Sequence, residues 1–243
     1  MKKLWIMLLL AGTSLLSGCF DMIEELFLEA NGSGHYLLTM DMSNMISDPF
    51  MKGMLQESLQ EEGGLTEIQM EKDTLIYLKN TPDIASLSAA DQKLLENVTI
   101  RMTMSEAKEQ FFIKIDMPFS NVSQLADISK AMEKVNMGDQ LSGGMPGGGM
   151  MSGAQAIFSL NKKSLRRAPA KQAPTTADEE ASIDMLRLFM GEAEYRTVYH
   201  LPGKVKKVTI PKARTDGNIV TVTNSMLDVM DGKVKLDGEI RFK

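Results

Sequence analysis

The feature that most constrains this chain is a two-residue alternation of apolar and polar side chains, repeated in several separate segments. In the last of them, Val234, Leu236, Gly238, Ile240 and Phe242 alternate with Lys233, Lys235, Asp237, Glu239, Arg241 and Lys243. Successive side chains of a strand point to opposite faces, so this pattern fits a strand with one buried and one solvated face. Val98, Ile100, Met102 and Met104 alternate in the same way with Asn97, Thr99, Arg101, Thr103 and Ser105. Phe111, Ile113, Ile115 and Met117 follow after a short loop, Ser105 to Glu109, that suits a hairpin. Near the start, the turn signal Asn31-Gly32-Ser33-Gly34 separates Met22–Ala30 from Tyr36, Leu38, Met40 and Met42. Buried parallel strands read instead as continuous apolar runs. The expectation is therefore a mixed, mostly antiparallel sheet.

Helical spacing lies between the strand patterns. Asp48-Pro49 places a capping residue ahead of a proline, with Phe50, Met54 and Leu55 on one face and Gly63-Gly64 as the stop. Ser88 to Asp91 resembles a capping box before Leu94 and Leu95. Asn121 to Gln124 opens an amphipathic stretch carrying Leu125, Ile128, Met132 and Val135, with Gly138 as its end. Thr176 to Glu179 caps a further stretch with Ile183, Leu186 and Met190, ended by Gly191. A short helix is expected over Ser225–Asp231. The fold class is α+β, with amphipathic helices packed on one face of the sheet. A weak repeat relates Tyr36–Met42 to Phe111–Met117, since each ends a hairpin and leads towards a helix.

The chain divides into residues 1–18, an apolar leader; 19–137, with the hairpin–helix units; 138–153, rich in Gly and Met; and 154–243, expected to complete the same α+β domain. Segment 138–153 reads as a flexible loop, because Gly-rich chain loses much backbone entropy on ordering. The stretch from Ala168 to Thr175, with Pro169 and Pro174, reads as a second loop.

Lys2 and Lys3 precede the apolar run Leu4 to Leu10. That run is too short to span a bilayer, which needs about 20 apolar residues, and it fits a secretory signal. Leu16-Ser17-Gly18-Cys19 follows and resembles the lipobox of bacterial lipoproteins. The resemblance implies signal cleavage after Gly18 and acylation, with palmitate among the chains, at Cys19. Cys19 is the only cysteine in the chain. Two or three acyl chains, at about 0.8 kcal/mol per buried CH₂, hold a protein stably at a membrane where one does not. Cleavage removes Lys2 and Lys3 and takes the net charge from −5 to −7. The lipid, rather than charge, must then do the anchoring. Phe20, not Asp, follows Cys19, which in this class implies the outer membrane.

The negative net charge lacks the positive footprint that nucleic-acid binding needs. No Gly-x-Ser-x-Gly elbow, P-loop or dinucleotide fingerprint is present. The only histidines are His35, beside the Asn31–Gly34 turn, and His200, ahead of Leu201-Pro202-Gly203; both read as exposed turn-edge residues. The acid pairs Glu24-Glu25, Glu61-Glu62 and Glu179-Glu180 read as solvated faces or helix-end charges. No catalytic residue, metal ligand set or cofactor is expected from these patterns.

Methionine stands out, with 21 in 243 residues. Thioethers are soft ligands that select Cu(I), and by extension Ag(I); they also line adaptable apolar binding surfaces, or simply fill cores. Met40, Met42, Met102 and Met104 fall on the apolar side of strand patterns, and Met54 and Met132 on helix faces, which favours core filling. Met145, Met150 and Met151 lie in the Gly-rich segment, where no core is expected.

The segment Tyr199 to Val205, ahead of the turn Asp216-Gly217-Asn218 and the last strand, is similar to the C-terminal part of small Bacteroidota-type lipoproteins and of the LppM-like family of actinobacterial lipoproteins. That resemblance implies an envelope lipid-binding or host-interaction role on an α+β scaffold. The reading that joins these observations is a non-enzymatic envelope lipoprotein. Its partners are the membrane, through N-terminal acyl chains, and a lipid, peptide or protein bound on an apolar Met-rich surface; nucleic acid is not among them. Cu(I)/Ag(I) handling by Met clusters is the alternative reading, and an enzyme of unassigned type the third.

Overall fold

The computed structural model describes residues 20–49, 52–53, 71–135, 156–169 and 193–243. Its large sheet has eight strands in the order β10-β11-β8-β1-β2-β5-β4-β3. These are β1 (Asp21–Leu28), β2 (Gly34–Asp41), β3 (Glu71–Tyr77), β4 (Thr99–Ser105), β5 (Gln110–Phe119), β8 (Glu194–His200), β10 (Arg214–Asp216) and β11 (Ile219–Ser225). The β1–β8 pairing is parallel and every other pairing in this sheet is antiparallel. A second sheet of four strands has the order β6-β7-β12-β9, with β6 (Ala156–Asn161), β7 (Ser164–Pro169), β9 (Val205–Val208) and β12 (Gly238–Phe242). The architecture is α+β with a mostly antiparallel mixed sheet. The expected hairpins are present at 28–34 and 105–110, and the two repeat-like segments are β2 and β5, which pair side by side with Tyr36 opposite Met117.

Register decides which residues go inside. Met22, Leu26 and Leu28 of β1 are buried, and their cross-strand partners Met40 and Tyr36 face the same way. Ile113, Ile115 and Met117 continue that face on β5, and Val220 and Val222 continue it on β11. Four α-helices accompany the strands among the described residues, α1 (Asn44–Ser47), α2 (Ala89–Leu95), α3 (Leu125–Glu133) and α4 (Met226–Met230), with three short 3-10 turns besides. Their buried residues, Ile46, Leu95, Leu125, Ile128, Met132 and Met226, share one core with the second sheet's Phe158, Leu165, Ile240 and Phe242. The opposite face of the large sheet ranges mostly from half-buried to exposed.

The caps behave as local chemistry requires. The Ser88 hydroxyl accepts from the Asp91 N–H at the start of α2. Asn121 and Gln124 form a reciprocal capping box one turn before α3.

Two expectations need correction. The final strand is shorter than its alternation, covering Gly238–Phe242 and not the residues from Lys233. Strand pairing begins where β12 meets β7, and a Cβ at Gly238 would lie 2.7 Å from Ile210 Cγ1, so the chain passes there at a distance only glycine permits. Ala168 and Pro169 are not loop but the end of β7, paired with Ile157 and Ala156. Outside the described residues lie Gly18 and Cys19, the Gly-rich segment 138–153, the 176–191 helix pattern, and most of the helix pattern after Pro49.

Candidate functional site

β1 runs near the middle of the large sheet and carries a distinctive polar group on each face. On the inner face, Glu24 takes the place in the alternation between Met22 and Leu26. It is fully buried, and Arg167 of β7, also buried, donates from Nη1 to Glu24 Oε2 at 2.7 Å. Thr197 Oγ1 donates to the same oxygen at 3.2 Å, and Arg167 Nη1 also donates to the Tyr199 hydroxyl at 3.2 Å. The Arg167 guanidinium lies 5.6 Å from the centre of the Phe158 ring. Phe158 in turn meets Tyr36 and Tyr199 at ring-centre distances of 6.3 and 6.5 Å. The pair thus joins the two sheets across the core.

Three of the four tyrosines of the chain, Tyr36, Tyr195 and Tyr199, surround this pair. Burial pushes the Tyr36 and Tyr195 phenols well above their ordinary range, and the nearby Glu24 charge adds to it. Burial raises Tyr199 as well, against the pull of Arg167. Burial is the largest influence on Arg167 and opposes its charge, and the Glu24 carboxylate together with the surrounding tyrosines more than offsets it, leaving the guanidinium above its usual value. Glu24 Oε1 and the Tyr36 and Tyr195 hydroxyls are buried with no hydrogen bond of ordinary geometry, although both hydroxyls lie close enough to the Glu24 carboxylate to feel its charge. Neutral phenols around a compensated ion pair suit a fixed internal contact, with the charges held away from solvent.

On the outer face, Phe27 lies between two imidazoles. Its ring stacks on His200 at 4.1 Å with 2° between planes, and on His35 at 4.4 Å with 20°. His35 Nδ1 is 2.9 Å from Asp116 Oδ1, and His200 Nε2 is 3.2 Å from Glu25 Oε1. Register produces the row: Phe27 faces His35 on β2 and His200 on β8. Phe27 fills the space between the two rings. A shared metal needs both ring nitrogens about 2 Å from it, so the stack holds the histidines apart from any common ion. Among the described residues no group of three or more His, Cys, Asp or Glu is placed to hold a metal.

These placements correct two sequence readings. The histidines do stand at strand ends beside their turns, but they are half-buried and not exposed, each held by a carboxylate and by Phe27. Glu24 is not part of a solvated acidic pair; only Glu25 faces outward. The signal for Glu24 was present, because it falls on the apolar parity of β1. Tyr195, Thr197 and Tyr199 share one parity on β8, and Arg167 shares one with Leu165 on β7.

The methionines divide clearly. Met22, Met42, Met117, Met132 and Met226 are buried, and Met40, Met102, Met104 and Met230 pack against the core. Met40 and Met102 are separated by Ile113 of β5, and so stand two strand spacings apart, about 10 Å. These residues fill the core, the reading their positions in the strand and helix patterns favour. Met145, Met150 and Met151 lie outside the described residues.

No protein-family model matches the chain, and no curated protein matches it in sequence. The chain is similar to the NMR structure of the folded domain of LppM from Mycobacterium tuberculosis, at 8% identity over 95% of each chain, with a TM-score of 0.43. A likeness of that degree assigns this chain neither a family nor a function. Among the described residues no helix is long and apolar enough to cross a membrane.

Proposed function

We propose that this chain is a lipid-anchored protein of the cell envelope, held at the outer membrane through Cys19, whose body binds a partner and does not catalyse a reaction. The observation that carries the reading is the junction after Cys19. Phe20 is buried and β1 begins at Asp21, so the folded body starts directly behind the lipobox cysteine. With no spacer behind it, an acylated Cys19 would hold the body close to the membrane surface. Support for binding over catalysis comes from the two polar groups. The Glu24–Arg167 pair is closed inside the core, away from any substrate, and Phe27 keeps the two imidazoles from converging on one ligand. The outer face of the large sheet, with Phe27 near the turn end of β1 and exposed Leu75 and Tyr77 at the β3 edge, is the surface offered to a lipid, peptide or protein.

The test is metabolic labelling with an alkyne fatty acid, followed by membrane fractionation. The expected result is a labelled protein in the outer-membrane fraction and an unlabelled, uncleaved Cys19→Ala variant. Label persisting on that variant, or none on the unaltered protein, would overturn the anchor. Native mass spectrometry of the protein extracted from its own membrane then reads any ligand carried with it.

A further inference from the structure

We propose that the outer face of the small sheet is a cationic surface that docks on anionic lipid headgroups, so that the body lies on the membrane on its small-sheet side. The inference rests on the acylation of Cys19 and goes beyond it, because an anchor does not say which face meets the bilayer. The net charge of the chain is negative, yet the small sheet is rich in bases. Neither residues 156–169 nor residues 201–213 include an acid, and Glu239 is the one acid on the four strands. Lys162, Lys163, Arg166, Lys204, Lys206 and Lys207 are all exposed. None of the six has an ion-pair partner among the described residues.

Register brings these charges together. Leu165 and Arg167 of β7 are buried, so Ser164 and Arg166 point outward. Arg166 stands opposite Glu239, and Arg241 stands between Ser164 and Lys207. The ladder slips between Arg241 and Phe242, which leaves Lys206 as an extra residue beside Lys207. The Phe242 N–H donates to the Lys163 carbonyl at 3.0 Å, and the Lys243 N–H to the Lys204 carbonyl at 2.9 Å. The end of β12 therefore runs between Lys163 and Lys204, about 10 Å apart at two strand spacings, close to the screening length of physiological salt. Glu239 does not cancel this field. It accepts from Arg241 Nε and Nη2 at 2.8 and 3.2 Å and from Ser164 Oγ, so one acid offsets one base. Lysines on an edge strand also guard it against pairing with another chain, which accounts for Lys206 and Lys207. It does not account for Arg166 and Arg241 on the inner strands of this sheet, or for the Lys162–Lys163 turn.

Five of the six free bases are lysines. A lysine is a point charge without the planar fork that fixes one carboxylate, and these stand on the open side of a sheet. That arrangement suits many phosphates at loose spacing, which an anionic bilayer presents. An acylated Cys19 keeps the bilayer within reach, so this second contact forms at high effective concentration. The patch lies at the turn end of β1, where a Cβ at Gly32 would be 3.3 Å from Leu160 Cδ2, and Cys19 adjoins the other end. Both meet one plane when β1 lies along it. The chain outside the described residues joins this sheet at Ala156 and Pro169, a paired couple about 16 Å from Asn161 and its turn.

The experiment uses the mature acylated protein on phosphatidylcholine vesicles with and without phosphatidylglycerol, each carrying a headgroup-nitroxide lipid. Acylation blocks Cys19, so a thiol-reactive fluorophore attaches only to a second cysteine. Asn161→Cys and Ser159→Cys place it on the small sheet, and Leu75→Cys on the outer face of the large one. The expected result is loss of most fluorescence at both small-sheet probes when phosphatidylglycerol is present, recovery in high salt, and no loss at Leu75. Lys163→Glu, Arg166→Glu and Lys207→Glu together should abolish the quenching while the protein stays on the vesicles, and the three glutamine substitutions should weaken it. Quenching that ignores phosphatidylglycerol, survives the charge reversal or is strongest at Leu75 would overturn the face and leave the anchor intact. Binding of labelled polyglutamate with no response to phosphatidylglycerol would overturn it in favour of an acidic protein partner. An intact mass without acyl chains on Cys19 would overturn the anchor; sedimentation with phosphatidylglycerol vesicles alone would then still support the face, and its absence would overturn that too.

Discussion

Glu24 and Arg167 meet at 2.7 Å with both side chains buried, one from the centre of the large sheet and the other from the small one. Bringing two charges into a core costs several kcal/mol per ion, and only close pairing and further hydrogen bonds offset it. Removing one partner leaves the other charge buried alone. Arg167→Met and Glu24→Leu are each expected to destabilise the protein by about 3–5 kcal/mol, and the double variant by much less than their sum. Urea unfolding of the four proteins checks this. Additive losses would mean that the two side chains do not act as a pair.

Phe27 is held between His35 and His200 at 4.4 and 4.1 Å. Stacked aromatic pairs contribute about 0.5–1.5 kcal/mol each beyond burial. Phe27→Leu should keep most of the apolar contact and lose both stacks, at a cost of about 1–3 kcal/mol. Proton NMR gives the local readout: the ring protons of both histidines should lose their ring-current displacement together. A change at one histidine alone would show that the sandwich is not present in solution.

How far sequence reaches into this fold depends on what sets each element. The hairpins of β1–β2 and β4–β5 and the caps at Ser88 and Asn121 are local, so alternation and capping residues find them. β3, β6 and β7 escape because their burial is set by partners distant in sequence. β3 alternates only weakly, and β7 carries Arg166 and Arg167 where the pattern offers no apolar pair. The Glu24–Arg167 contact joins residues 143 positions apart. Parity along β1 marks Glu24 as inward, but nothing in a single strand identifies the arginine that receives it.

Acid should weaken the protein through its surface carboxylates. Hydrogen bonding from Arg241, and then from Ser164, lowers Glu239 from its usual value to about 2. The Ala107 N–H lowers Glu71, Arg101 lowers Asp73 and Lys134 lowers Asp91. A carboxyl group that binds its proton less tightly when folded adds stability above its unfolded value. That stability is lost as pH falls towards the folded value, because the unfolded chain takes up protons first. For Glu239 the window runs from about 4.3, the ordinary value, down to about 2. The difference in Tm between the unaltered protein and Glu239→Gln should be constant at neutral pH and shrink through that window. A difference independent of pH would remove the carboxylate from this account.

Gly203, in the Leu-Pro-Gly turn after β8, lies against the chain's last residue. A Cβ at this position would be 2.2 Å from the Lys243 carbonyl oxygen and 3.2 Å from its carbon. Turning the Lys243 carboxylate relieves only the oxygen contact, since the Lys243 carbon and nitrogen lie at 3.2 and 3.5 Å as well. The Lys243 N–H also donates to the Lys204 carbonyl at 2.9 Å, and buried Phe242 holds the preceding position. Gly203→Ala is therefore expected to destabilise the protein by about 1–3 kcal/mol, the usual range for forcing atoms into a packed site. The cause is testable separately from any general effect of alanine in a turn. Deleting Lys243 removes the obstacle, so Gly203→Ala should cost clearly less in a chain ending at Phe242 than in the full chain. Equal costs in the two backgrounds, read by urea unfolding, would show that the glycine serves the turn itself and not the passage of the C-terminal strand.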